Sequence, residues 1–134
     1  MELHLKITGI LLMALAFVHI PFPRYFKWKE ELRSLSLINQ QMMKVHTFFI
    51  ALMVFLMGLL SFSQAEQLIS TELGRFVSLG MGVFWGVRLI FQLFVYSTKL
   101  WRGKSFETAM HILFTMLWIY LVGVYFVIYF QFEL

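Results

Sequence analysis

Residues 76–97 read Phe76-Val-Ser-Leu-Gly-Met-Gly-Val-Phe-Trp-Gly-Val-Arg-Leu-Ile-Phe-Gln-Leu-Phe-Val-Tyr-Ser97. At about 1.5 Å per residue in a helix, this run is long enough to cross a hydrocarbon core of roughly 30 Å. Arg88 lies near its middle. A guanidinium at that depth costs at least ~2.5–3.5 kcal/mol on insertion scales, so something must compensate it. Gln92 follows one turn later on the same helical face, and Trp85 and Met81 precede it there. No acidic residue lies at the depth of Arg88, the nearest candidate in the last apolar run being Glu107. The expectation is a cavity with an occupant.

The composition around this stretch agrees with a bilayer as solvent. Of 134 residues, 60% are hydrophobic and only 13% charged, against ~45–50% and ~25% in soluble domains. A water-soluble fold of this length could not hide so much apolar surface. Cysteine is absent, which removes disulfides, thiolate metal sites and cysteine nucleophiles. The net charge of +4 could draw nucleic acid. The basic residues, however, sit in loops flanking apolar runs, so they read as topology signals and contacts with anionic lipid.

Four spans are expected, at about 3–20, 45–63, 76–97 and 106–130. In the first, Lys6 can snorkel to the interface and Pro21 and Pro23 stop the helix. Ala14-Leu15-Ala16 mimics a signal-peptidase site, but the segment is read as a retained helix. Between the first two spans, Tyr25, Trp28, Leu32 and Leu35 recur at helical spacing, opposite Lys27, Lys29, Glu30, Arg33 and Ser34. That pattern predicts an interfacial amphipathic helix over about 24–36. The loop after the first span and the turn after the third hold Arg24, Lys27, Lys29, Arg33, Lys44, Lys99, Arg102 and Lys104; the other side holds Lys6 and Arg75. Eight basic residues against two put both loops in the cytoplasm and both chain ends on the outer side of the cell (inner) membrane. The fold class expected is therefore an all-α integral membrane protein: one domain, a four-transmembrane-helix antiparallel bundle with a short cytoplasmic interfacial helix.

Such threading gathers His19, His46, His111 and Gln92 in the cytoplasmic half, with Arg88 slightly deeper. Three chemistries compete for that polar layer. Imidazoles on facing helices could ligate haem b or a divalent metal through His46, His111 and His19, with Arg88 on a propionate. Against this, His111 lies about 6–9 Å deeper than the other two. Alternatively, Arg88, Gln92 and His111, walled by Trp85 and Trp118, form a pocket for a lipid headgroup or a quinone carbonyl, either as a binding site or as an enzyme with His111 as acid. In the third case the polar groups bond one another and merely join helices, each contact contributing ~0.6–1.7 kcal/mol in lipid. Met42, Met43, Met53 and Met57 beside His46 also match a copper(I) ligand set, although methionine more often fills gaps. A Ser/His/Asp set, a phosphate loop and paired carboxylates at membrane depth are all missing from the sequence. Ser78, Gly82 and Gly86 form a small-residue ladder for a close helix neighbour, within the chain or in a second copy of it.

Phe26-Lys-Trp-Lys-Glu-Glu-Leu32 with Leu37-Ile-Asn-Gln-Gln41, and Phe84-Trp-Gly-Val-Arg-Leu89 with Gln92, resemble segments of a group of small bacterial four-span proteins that carry no assigned activity. The resemblance implies the membrane fold and transfers no catalytic residue. The function expected is that of a non-enzymatic ligand-binding or accessory subunit acting through the polar layer. Its partners would be the bilayer, a lipid, a quinone or another membrane protein. The alternative is a haem- or metal-containing redox protein.

Overall fold

The computed structural model describes residues 2–95, 103 and 105–130, and the described residues contain helices and turns and no strand. The basic turn expected at 99–104, Gly103 apart, and the ends of the third span and of the chain lie outside the described residues. Three helices are long and apolar enough to cross a membrane: Leu37–Ser63, Glu72–Phe94 and Ser105–Phe130. Only 17%, 28% and 28% of their most apolar windows are buried within the protein, so most of their apolar surface faces outward. Phe48, Phe94 and Met116 are 62, 79 and 65% exposed. Helices apolar on every side belong in a medium that solvates apolar groups.

The chain divides into two compact units, Leu5–Ala65 and Glu66–Leu134 joined by Met1–His4. In the first, α1 (Glu2–Val18) and α4 (Leu37–Ser63) run antiparallel. α1 buries Leu5, Thr8, Leu12, Leu15 and Ala16, and α4 buries Val54, Gly58 and Ser61, a spacing of three and four that marks one face of each helix. The two backbones meet at glycines. A Cβ on Gly9 would lie 2.6 Å from the Gly58 carbonyl oxygen, and one on Gly58 would lie 2.7 Å from that of Gly9. Phe17 packs edge-on to Phe55 further along the pair, at 5.9 Å.

The connection between them is not one amphipathic helix. It consists of α2 (Phe22–Tyr25), α3 (Trp28–Glu31) and a 3₁₀ turn at Leu32–Ser34. Lys27 breaks the run by adopting the left-handed conformation, φ 54° and ψ 46°. Its carbonyl then accepts from the N–H groups of Glu30 and Glu31 and starts α3. The apolar stripe is consequently split: Trp28 is buried, Leu32 half-buried, and Tyr25 and Leu35 exposed. Ser36 caps α4 by accepting from the Asn39 N–H at 3.4 Å. α4 thus starts eight residues before the span expected from hydropathy.

In the second unit, α5 (Ala65–Ser70) turns into α6 (Glu72–Ile90). Thr71 caps α6 by accepting from Gly74 N–H at 2.9 Å, and its hydroxyl donates to the Gln67 carbonyl at 2.6 Å. Gly74 has no room for a side chain: a Cβ would meet the Gln67 carbonyl oxygen and lie 2.6 Å from Leu68 Cα. α6 continues into a π turn, Phe91–Val95, and α7 (Ser105–Phe130) returns alongside. Trp85 lies against Trp118 and Gln92 against His111, so α6 and α7 are antiparallel. α6 buries Gly74, Ser78, Met81, Gly82 and Trp85; α7 buries Trp118, Leu121, Val124, Tyr125 and Ile128. In the expected small-residue ladder Ser78 and Gly82 are buried, and a Cβ on Gly82 would be 3.3 Å from the Phe126 ring. One on Gly86 would meet nothing within 4 Å.

Candidate functional site

The buried face of α6, followed by its regular step, leads from Met81 and Trp85 to Arg88 and then to Gln92, the first polar residue in the π turn. Arg88 Nη1 donates to Gln92 Oε1 at 3.4 Å, and the Gln92 amide reaches across to His111 Nδ1 on α7 at 3.1 Å. Gln92 is only 7% exposed, while Arg88 and His111 are half-buried. π turns widen the backbone by one residue and recur at functional sites. Here the widened turn carries the residue that links the two helices.

The direction of this chain of bonds fixes the protons. A guanidinium only donates, so the Gln92 oxygen faces Arg88 and its NH₂ faces the imidazole. His111 therefore accepts at Nδ1, and the ring proton lies on Nε2. Reversing the Gln92 amide to change this tautomer would set NH₂ against guanidinium, donor against donor. Thr115 Oγ1 donates to the His111 carbonyl at 2.7 Å, tying the same turn of α7.

Aromatic rings line the deeper side. The Arg88 guanidinium carbon is 5.3 Å from the Trp118 ring centre, within the range of cation–π attraction. Trp118 stacks on Trp85 at 5.0 Å with 12° between planes, and on Phe114 at 5.8 Å and 20°. Trp85 and Trp118 are 2 and 4% exposed. Their indole N–H groups are enclosed and have no hydrogen-bond partner among the described residues. A buried donor left in this way costs ~1–3 kcal/mol. The site thus holds two enclosed indole N–H groups beside a guanidinium.

The other expected ligands are arranged differently. His46 is exposed, and its Nδ1 bonds the Met42 carbonyl at 2.8 Å. His19 does the same with Leu15 at 2.9 Å. Each imidazole bonds a carbonyl one turn back, His19 at the end of α1 and His46 within α4. Both carry the proton on Nδ1, the tautomer opposite to that of His111. No group of three or more His, Asp or Glu placed to hold a metal ion occurs among the described residues. One contact has no counterpart in the sequence reading: His4 Nδ1 meets the Tyr120 hydroxyl at 3.0 Å. The residues are 116 apart in the chain, too far for any local spacing rule to pair them. Phe114 also escapes notice in the sequence, although it stands one turn before Trp118.

Three membrane-length helices with outward apolar faces define the class: an α-helical membrane protein. No family model, no curated protein and no solved structure matches the chain.

Proposed function

We propose that the protein is a small non-enzymatic membrane subunit that binds a ligand, or a partner's side chain, bearing hydrogen-bond acceptors, through Arg88, Gln92, His111, Trp85 and Trp118. The observation carrying this reading is the excess of buried donors. Two enclosed indole N–H groups without an acceptor adjoin a guanidinium whose carbon is 5.3 Å from the centre of one of the same rings. Interhelical glue alone would pair donors with acceptors. A phosphate, a carboxylate or a quinone carbonyl supplies what the site lacks. Because both indole N–H groups are enclosed, the occupant engages them by parting the ring stack.

The arrangement in the membrane is part of the proposal. α1, at 17 residues, is at the short end of the lengths that span a bilayer, ~17–25 residues. We take it as a fourth span because Lys6 can reach the interface from its start. The eight-to-two distribution of basic residues supports cytoplasmic placement of the two basic loops and outward placement of both ends, in a bacterial inner membrane.

Native mass spectrometry of the full chain purified in mild detergent tests the reading. Wild type is expected to retain a stoichiometric adduct that Arg88→Leu loses while keeping its helical circular dichroism. An identical adduct profile in a folded Arg88→Leu protein would remove Arg88 from the site.

A further inference from the structure

The first unit contains a separate cavity of about 180 Å³. Its wall is built from His19, just past α1, from Trp28 on α3, and from Lys44, Thr47, Phe48 and Ala51 on α4. The α4 residues recur at three and four and so share one helical face. Lys27 turns the chain so that Trp28 is 8% exposed, although the residues on either side of it are exposed. Binding pockets for whole organic ligands run to ~300–1,000 Å³, so this one is sized for a headgroup fragment.

We propose that this cavity seats the phosphate of an anionic phospholipid. α4 changes character at this point: Asn39, Gln40, Gln41, Lys44, His46 and Thr47 give way to a run without polar side chains from Phe48 to Leu60. The cavity therefore straddles the boundary at which a lipid passes from phosphate to acyl chain. Lys44 stands at the polar end, and Phe48 and Ala51, one and two turns deeper at ~5.4 Å per turn, offer apolar contact. Between Pro21 and Lys44 the chain carries five basic residues, Arg24, Lys27, Lys29, Arg33 and Lys44, against Glu30 and Glu31. The two glutamates are exposed and do not line the cavity. His19 commits Nδ1 to the Leu15 carbonyl. Thr47 donates its hydroxyl hydrogen to Met43 at 2.8 Å, which leaves Lys44 as the cationic anchor. A soluble phosphate ion would have no use for the apolar wall, and a zwitterionic lipid would bring its own cation to Lys44.

Titration of the detergent-solubilised full chain with phosphatidylglycerol, followed by native mass spectrometry, tests the proposal, with phosphatidylcholine as the comparison lipid. One phosphatidylglycerol is expected to bind in preference to phosphatidylcholine. Lys44→Gln should weaken it about fivefold, the effect of one lysine near a lipid surface. Lys29→Gln, an exposed residue outside the cavity, should change it by less than about twofold. Ala51→Leu, which fills the cavity without altering charge, should abolish the adduct while helical circular dichroism persists. Equal losses in Lys44→Gln and Lys29→Gln would show diffuse attraction and overturn the proposal. So would equal retention of phosphatidylcholine, or displacement of the lipid by inorganic phosphate, which would mark a soluble-anion site.

Discussion

Gln92 is the residue on which the proposed site turns, because its amide uses one end for Arg88 and the other for His111. Gln92→Leu removes both bonds without adding charge. It should lower thermal stability in detergent by ~1–2 kcal/mol, the sum of two intramembrane hydrogen bonds, and release the proposed ligand. Gln92→Glu tests the direction of the chain: a carboxylate can accept from Arg88 but cannot donate to His111 Nδ1, so the bridge to α7 survives only with the imidazole proton moved to Nδ1. Arg88→Lys should restore binding only in part. An ammonium keeps the charge but lacks the planar, delocalised guanidinium that neighbours Trp118 and the fork that holds an acceptor. Ligand retention is expected to fall in the order wild type, Arg88→Lys, Gln92→Leu.

At the scale of elements, close backbone approach and open helix surface make opposite forecasts for the same substitution. Gly9→Ala drives a Cβ to 2.6 Å from the Gly58 carbonyl. Backbone cannot step aside as a side chain would, so a loss of ~1–3 kcal/mol is expected, as for overpacked cores. Gly86→Ala meets nothing within 4 Å and should be neutral or gain up to ~1 kcal/mol from helix propensity. Melting curves of both variants in one detergent check the pair, and equal effects would contradict the helix crossing described here. The proposed orientation of the spans is open to a labelling test because the native chain has no cysteine. Ser70→Cys in the link before α6 should react with an impermeant maleimide in intact cells, and Ser36→Cys should react only after permeabilisation.

For the whole molecule, the features legible in the sequence are those set by length and local period. Apolar runs longer than a bilayer is thick announce the membrane helices at Leu37–Ser63, Glu72–Phe94 and Ser105–Phe130. The i, i+4 relation of Arg88 and Gln92 and the antiparallel return of α7 bring His111 within reach by counting alone. What escapes the sequence depends on single backbone choices or on distant partners. Lys27 can enter the left-handed region only if tertiary contacts offset ~1–2 kcal/mol, and nothing in Phe26-Lys-Trp-Lys-Glu-Glu-Leu32 announces that. The π turn at Phe91–Val95 leaves no mark in a uniformly apolar stretch. The Gly9–Gly58 crossing is equally hidden, since Gly82 and Gly86 show the more regular small-residue spacing and only one of them is packed. The orphaned indoles of Trp85 and Trp118 emerge only when their surroundings are seen.

The account rests most heavily on a donor-lined site in which His111 accepts from Gln92. Nitrogen-15 magnetic resonance of histidine-labelled protein in bilayers, with His111 assigned by its loss in His111→Phe, measures this directly. The account predicts a neutral His111 protonated on Nε2, whose Nδ1 resonance shifts when Gln92 is replaced by Leu. A His111 protonated on Nδ1, or one indifferent to Gln92→Leu, would contradict it.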